Sequence, residues 1–190
     1  MLKDEDKTKE QLISELKELR SRIGQSKEVV VDRLTGLYNR RHFLDLAEHE
    51  FARAHRLERH ISAIMLDVDY LKQINDTYGQ SIGDQVLATV AKRCRTNVRF
   101  IDIPGRYGGV EFVLLLPEAN LPAANQVAER LRQCVAKTTI PTEKGLITTT
   151  ISLGVATLTP DTPSLSNLLE LAEKAMRLAK QGGRNRVEVG

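Results

Sequence analysis

At 190 residues and 21.3 kDa the chain has the length of one ordinary domain with a short appendage. Hydrophobic residues at 41% against 28% charged exclude a disordered, collagen-like or low-complexity chain, and no uncharged apolar run approaches the ~18–20 residues that span a bilayer. Lys plus Arg number 28 against 25 Asp plus Glu, with the signs interspersed. That argues against a nucleic-acid binder, which clusters its excess, and leaves phosphate-bearing small molecules open.

No charged start followed by an apolar stretch and a small-residue cleavage site stands at Met1, so no secretion signal and a cytoplasmic location are expected. Cys94 and Cys134 lie in apolar helical patterns and read as buried free thiols of a reducing compartment. Residues 1–28 carry seven acidic and seven basic side chains, with Leu12, Leu16, Leu19 and Ile23 spaced by four, three and four. That is a coiled-coil seam of about two heptads, read as a helical stalk through which the chain pairs with a copy of itself. A helix packed on its own domain is the alternative. Residues 29–190 read as a single domain.

From Asp32 onward helices and strands alternate. Asn39 to Leu57 predicts a helix with Phe43, Ala47, Phe51 and Ala54 on one face. Ile61 to Leu66 reads as a buried strand ended by Asp67. A brief helix over Leu71 to Asp76 follows, and then a longer one preceded by Gly83. Ile101–Tyr107 and Glu111–Leu116 predict two strands joined across Gly108-Gly109. Leu121-Pro122 opens another helix, with Pro where its missing N–H costs nothing. Leu146 to Thr157 reads as one long strand, Ser164 to Gln181 as a helix stopped by Gly182-Gly183, and Arg186 to Val189 as a last strand. Hairpins mixed with helices imply α+β with a mainly antiparallel sheet.

Four clusters carry candidate chemistry. Asp67-Val68-Asp69, with Lys72, Asn75-Asp76 and Gly83-Asp84 behind it, places carboxylates at the end of a buried strand, where Mg²⁺ takes oxygen ligands beside substrate phosphates. Asp69 fits that face by period 2, and equally fits a helix cap. The hairpin Arg106–Phe112 is a second cluster. Lys180 and Arg184 at the end of the last helix suit either phosphates or the negative end of a helix dipole. Arg99 and Asp102 form either a surface ion pair or a polar ligand clamp.

Taken in order, Asp32-x-Leu-Thr-Gly-Leu-x-Asn-Arg-Arg41, Asp67-x-Asp-x-Leu-Lys-x-x-Asn-Asp76, Gly83-Asp84, Gly108-Gly109-x-Glu-Phe112, Ser152-Leu-Gly-Val155 and Ala179-Lys-x-x-Gly-Arg-Asn185 resemble the GGDEF family of diguanylate cyclases. The resemblance runs from about Asp32 to Val189. It implies a fold similar to nucleotide-cyclase and polymerase-palm domains, with a central sheet of about five strands flanked by helices. It also implies a reaction joining two GTP into cyclic di-GMP with release of two pyrophosphates, in a dimer using Mg²⁺ (or Mn²⁺). Asp67 and the Val68 carbonyl resemble the metal ligands, and Asp67 with Glu111 the catalytic carboxylates. Asn75 and Asp84 match the pair that reads guanine, while Lys180 and Arg184 match the grip on the terminal phosphates, with Lys72, Gly108 and Gly109 nearby. Arg99-x-x-Asp102 matches the inhibitory product site, where arginine suits guanine O6 and N7, and Arg130 is a candidate second arginine there.

One position departs from that pattern. The family carries Asp or Glu after its two glycines, and this chain carries Val110. An isopropyl group offers no lone pair or charge, so an impaired cyclase that binds cyclic di-GMP is expected. Glu111 is adjacent, but regular pairing turns it to the opposite face of its strand from position 110. Gln80, where the family often has His, is a milder departure. A working cyclase that tolerates Val110, and a dimeric interaction domain with neither activity, are the competing readings.

Overall fold

The computed structural model describes residues 30–190, of which Val31–Gly190 form one unit; the expected stalk lies outside the described residues. Helix α1 (Arg40–Arg56) opens on Asn39, whose side chain accepts from the His42 N–H at 2.9 Å. Strand β1 (Ile61–Val68) is buried along its whole length. Helices α2 (Leu71–Tyr78) and α3 (Gln80–Thr96) follow, then β2 (Ile103–Arg106) and β3 (Glu111–Pro117). Helix α4 (Leu121–Ala136), with Pro in its first turn, leads to β4 (Thr139–Thr142), β5 (Gly145–Thr148) and β6 (Ile151–Thr157). Helix α5 (Leu165–Gln181), capped by Ser164, and β7 (Val187–Val189) close the chain.

The central sheet has the order β2-β3-β1-β6-β7, antiparallel except for the β6–β7 pair. This is the expected five-stranded, mainly antiparallel palm-like sheet. Alternation along β1 sends Ile64, Leu66 and Val68 to a core shared with α2, α3 and α4, and Ile61, Ala63 and Met65 to a second core under α1 and α5. Asp67 continues that second set. Every strand residue that matters to the site is therefore assigned to a face by its number alone, once one neighbour is known.

Three expectations are corrected. β1 runs past Leu66 to Val68, because Asp67 pairs with Glu111 and Ser152, and Val68 with Ile151. Gly83 does not precede α3 but lies inside it; the helix opens three residues earlier, after Gly79 with φ of +93°. The predicted strand from Leu146 to Thr157 is two strands. β5 pairs with β4, which the sequence reading missed, in a separate hairpin, and only β6 joins the central sheet. The chain breaks at Thr149-Thr150 because Asp69 holds it there: the Asp69 N–H donates to the Thr150 carbonyl at 2.9 Å, and the Thr150 hydroxyl donates back to Asp69 Oδ2 at 2.7 Å. Both cysteines are free; Cys94 is buried, and burial pushes its thiol up to about 12, whereas Cys134 is partly exposed.

Candidate functional site

Two carboxylates converge where β1 ends and β3 begins. Asp67 and Glu111 are direct cross-strand partners, and Glu111 alternates with Val113 and Leu115, which share the second core. Opposed residues have Cβ atoms ~4.5–5.5 Å apart. The expectation that Glu111 faces away from Val110 holds, since Val110 packs against the first core. What the spacing did not reveal is that the Glu111 face is the Asp67 face. Gly108 makes room for it: a Cβ there would lie 2.9 Å from Glu111 Oε2. The hairpin tip is pinned by Tyr107 N–H to the Glu111 carbonyl at 2.9 Å and by Arg106 Nη2 to the Gly109 carbonyl at 2.7 Å. The other arm of Arg106 holds Asp32 at 3.0 Å, and the Thr35 hydroxyl donates to the same carboxylate, a network the sequence reading did not single out.

Lys180 reaches down from α5 to Asp67, Nζ to Oδ2 at 3.0 Å, with the Asp67 side chain only 7% exposed. Arg184, just beyond α5, lies with its guanidinium 4.7 Å from the centre of the Tyr70 ring. Two cations thus border the carboxylate pair, an arrangement suited to a polyanion bridged to a divalent cation. Asp67, Glu111 and the carbonyl of Val68 are hard oxygen donors. Two carboxylates with substrate phosphates are what Mg²⁺ usually takes. Among the described residues no group of three or more His, Cys, Asp and Glu gathers into a cage that would hold a metal unaided.

Asp69 does not cap the helix that follows it. Its side chain accepts from Thr150 and Ser152 hydroxyls at 2.7 Å and from the Asn185 N–H at 3.1 Å. It is a structural anchor, and Tyr70 precedes α2 with no side-chain cap.

Burial and the facing Asp67 push the Glu111 carboxyl above its ordinary 4.5, with Glu173 adding to the effect and Lys180 and Arg177 opposing it. Burial likewise raises Asp67, against the pull of Lys180. A carboxyl raised by folding holds its proton more tightly in the native state. Its stability contribution is complete at acid pH and lost as pH rises through the raised value. Glu111→Gln is therefore expected to raise the melting temperature of the nucleotide-free protein at neutral pH, with the gain shrinking toward zero below about pH 4. Thermal unfolding across that range checks it; a gain independent of pH would contradict the assignment.

On the other side of the sheet, Asn75 of α2 packs on α3 so closely that a Cβ on Gly83 would sit 1.7 Å from Asn75 Oδ1, an atom that is buried with no hydrogen-bond partner. A side chain there would have to push the Asn75 amide aside; glycine lets Asn75 lie beside the residue preceding Asp84. Lys72 stands exposed in the first turn of α2.

Arg99 and Asp102 meet before β2. Arg99 Nη2 lies 2.8 Å from Asp102 Oδ1, and the Arg99 backbone N–H donates to Oδ2 at 2.7 Å. Asp102 is nearly buried while half of the Arg99 side chain is exposed. They line a groove of about 680 Å³ with Arg95, Phe100, Tyr38 and Pro104. Arg130 is not among its walls; its Nη2 donates to the Asn97 carbonyl at 2.7 Å, two residues ahead of Arg99.

The family model described as diguanylate cyclase, GGDEF domain, matches residues 29–186. The chain belongs to the GGDEF family. It is 40% identical over 172 residues to the response regulator PleD of Caulobacter vibrioides, covering 89% of this chain and 38% of that protein. Diguanylate cyclase DosC of Escherichia coli is 38% identical over 183 residues, 96% of this chain and 39% of its own. The chain thus spans about two-fifths of the length of these curated relatives. The crystal structure of the coiled coil and GGDEF domain of DgcB from Caulobacter crescentus in complex with c-di-GMP is similar at a TM-score of 0.84 and 30% identity, covering 94% of this chain and 95% of that one. The active GGEEF domain of a diguanylate cyclase from Vibrio cholerae is similar at 0.75 and 32% identity, covering 80% and 96%.

Proposed function

We propose that this GGDEF domain works in cyclic di-GMP signalling as an impaired cyclase. In this reading it holds GTP at the Asp67 face and binds cyclic di-GMP through Arg99 and Asp102. The observation that carries it is the contrast at the β2–β3 hairpin. Its glycines, Glu111 and the neighbouring Asp67, Lys180 and Arg184 keep the chemistry of a nucleotide site, while position 110 presents an isopropyl group packed toward the first core.

In this reading Lys180 leaves Asp67 for the terminal phosphates and Arg184 joins it. Asn75 and Asp84 read the guanine edge, with the Asp84 carboxylate accepting from N1–H and N2. A Mg²⁺ or Mn²⁺ held by Asp67, Glu111 and the Val68 carbonyl would neutralise phosphate charge. Val110 leaves no carboxylate at the hairpin tip to take up the attacking hydroxyl's proton. The structures of DgcB with c-di-GMP support the product-site half of the reading. Pairing through residues 1–28 would bring two such domains together.

A working cyclase is favoured by one observation: Asp67 and Glu111 remain paired across the strands. Product analysis after incubation with GTP and Mg²⁺ separates the two.

Binding is tested independently. Arg99→Ala is expected to weaken cyclic di-GMP at least tenfold, since hydrogen bonds to charged groups contribute about 1.5–3 kcal/mol. Asp102 keeps its bond from the residue 99 backbone N–H, so the loop survives the change. Calorimetric titration showing unchanged affinity in the variant would remove Arg99 from the site.

A further inference from the structure

The turn after α5 is strained backbone. Arg184 and Asn185 both adopt left-handed φ, +65° and +45°, a conformation that costs a side-chain-bearing residue conformational energy, Asn less than Arg. Such a pair persists only where its surroundings fix it. The Arg184 N–H donates to the Ala179 carbonyl at 3.0 Å. The Asn185 N–H donates to Asp69, which is 1% exposed and itself held by two hydroxyls.

The last clamp comes from a different layer. Arg132 of α4 donates through Nη1 to Asn185 Oδ1 at 2.9 Å and to the Asn185 carbonyl at 3.3 Å. Its remaining donors are fixed one turn back by Glu129, Nε to Oε2 at 2.8 Å and Nη2 to Oε1 at 2.6 Å. Gln133 also donates to Glu129 Oε1, at 3.0 Å. This bidentate fork holds the Glu129 acid down at about 2, so the clamp stays charged at any working pH. Arg132, Glu129, Arg184, Asn185 and Arg186 together line a groove of about 470 Å³.

We propose that Arg132, fixed by Glu129 and acting through Asn185, is the positioning residue that aims Arg184 at the terminal phosphates of a nucleoside triphosphate. This rests on the reading of Arg184 as a phosphate grip. Arg132 need not touch the nucleotide, so its influence appears as phosphate-count selectivity. Lysine cannot replace it, because one ammonium cannot both pair with Glu129 and span the two Asn185 acceptors.

Equilibrium binding of GTP, GDP and GMP with Mg²⁺ tests this, using the whole chain, wild type against Arg132→Ala, Arg132→Lys and Glu129→Gln, with melting temperatures in parallel. Both Arg132 variants should weaken GTP about tenfold, with GMP unchanged, and Glu129→Gln should weaken GTP severalfold. Equal losses for GTP and GMP, or full rescue by lysine, would overturn the proposal. If Arg132→Ala does not fold, the Glu129→Gln selectivity decides. Wild-type protein that binds none of the three overturns the nucleotide-site reading itself, and this inference with it, which tells the two failures apart.

Discussion

Gly154→Ala is expected to cost the fold about 3 kcal/mol, or a fall in melting temperature on the order of 6–12 °C. The reason is geometric. Gly154 lies in β6 against α5, and a Cβ there would stand 2.1 Å from the Ala172 carbonyl oxygen and 2.1 Å from the Met176 nitrogen. Both are helix backbone, so no side chain can rotate away and α5 itself must lift. Because α5 carries Lys180, the damage reaches the site: the Lys180–Asp67 pair should loosen and GTP affinity should fall along with stability. Gly109→Ala is the matched control for the fold, since nothing lies within 4 Å of a Cβ there and its φ is not positive. Thermal unfolding of the two variants checks the contrast. An equal effect at both positions would mean that β6 and α5 are not packed as described.

Val110→Glu is expected to raise cyclase turnover by roughly a hundredfold or more. A proton acceptor placed in the transition state contributes about 10²–10⁴-fold, and ~1.4 kcal/mol corresponds to each tenfold step. Position 110 is half-buried at a hairpin tip, so a longer polar side chain can swing outward without opening the core under Phe112 and Leu114. Asp67 and Glu111 are already in place opposite one another. Steady-state product formation by the folded variant measures the gain. A variant that binds GTP yet gains nothing would place the defect elsewhere than Val110.

Much of this architecture is legible in the sequence because hydrophobic periodicity is strong. The α1 and α5 stripes, the apolar β1 and the Gly-Gly hairpin each announce themselves locally. The failures are those that local pattern cannot resolve. Alternation tells that residues 110 and 111 face opposite ways, but only the register of β3 on β1 tells which of them faces Asp67. The break between β5 and β6 depends on Asp69, eighty-one residues away from Thr150. Gly83 reads locally as a helix start because glycine often punctuates, yet what it answers is the close approach of Asn75. Arg132 gave no signal at all, since its partner Asn185 is fifty-three positions distant and the pairing exists only once α4 and the turn after α5 come together. Asp67, Asn75, Lys180 and Arg184 are legible because their motifs survive as linear spacing.

The measurement that bears most directly on the account is product analysis of the unmodified chain held with GTP and Mg²⁺ while GTP binding is confirmed in the same sample. Bound, essentially unconverted GTP is expected, beside separate uptake of added cyclic di-GMP that depends on Arg99. Steady conversion of GTP to cyclic di-GMP at the pace of Val110→Glu would contradict that expectation.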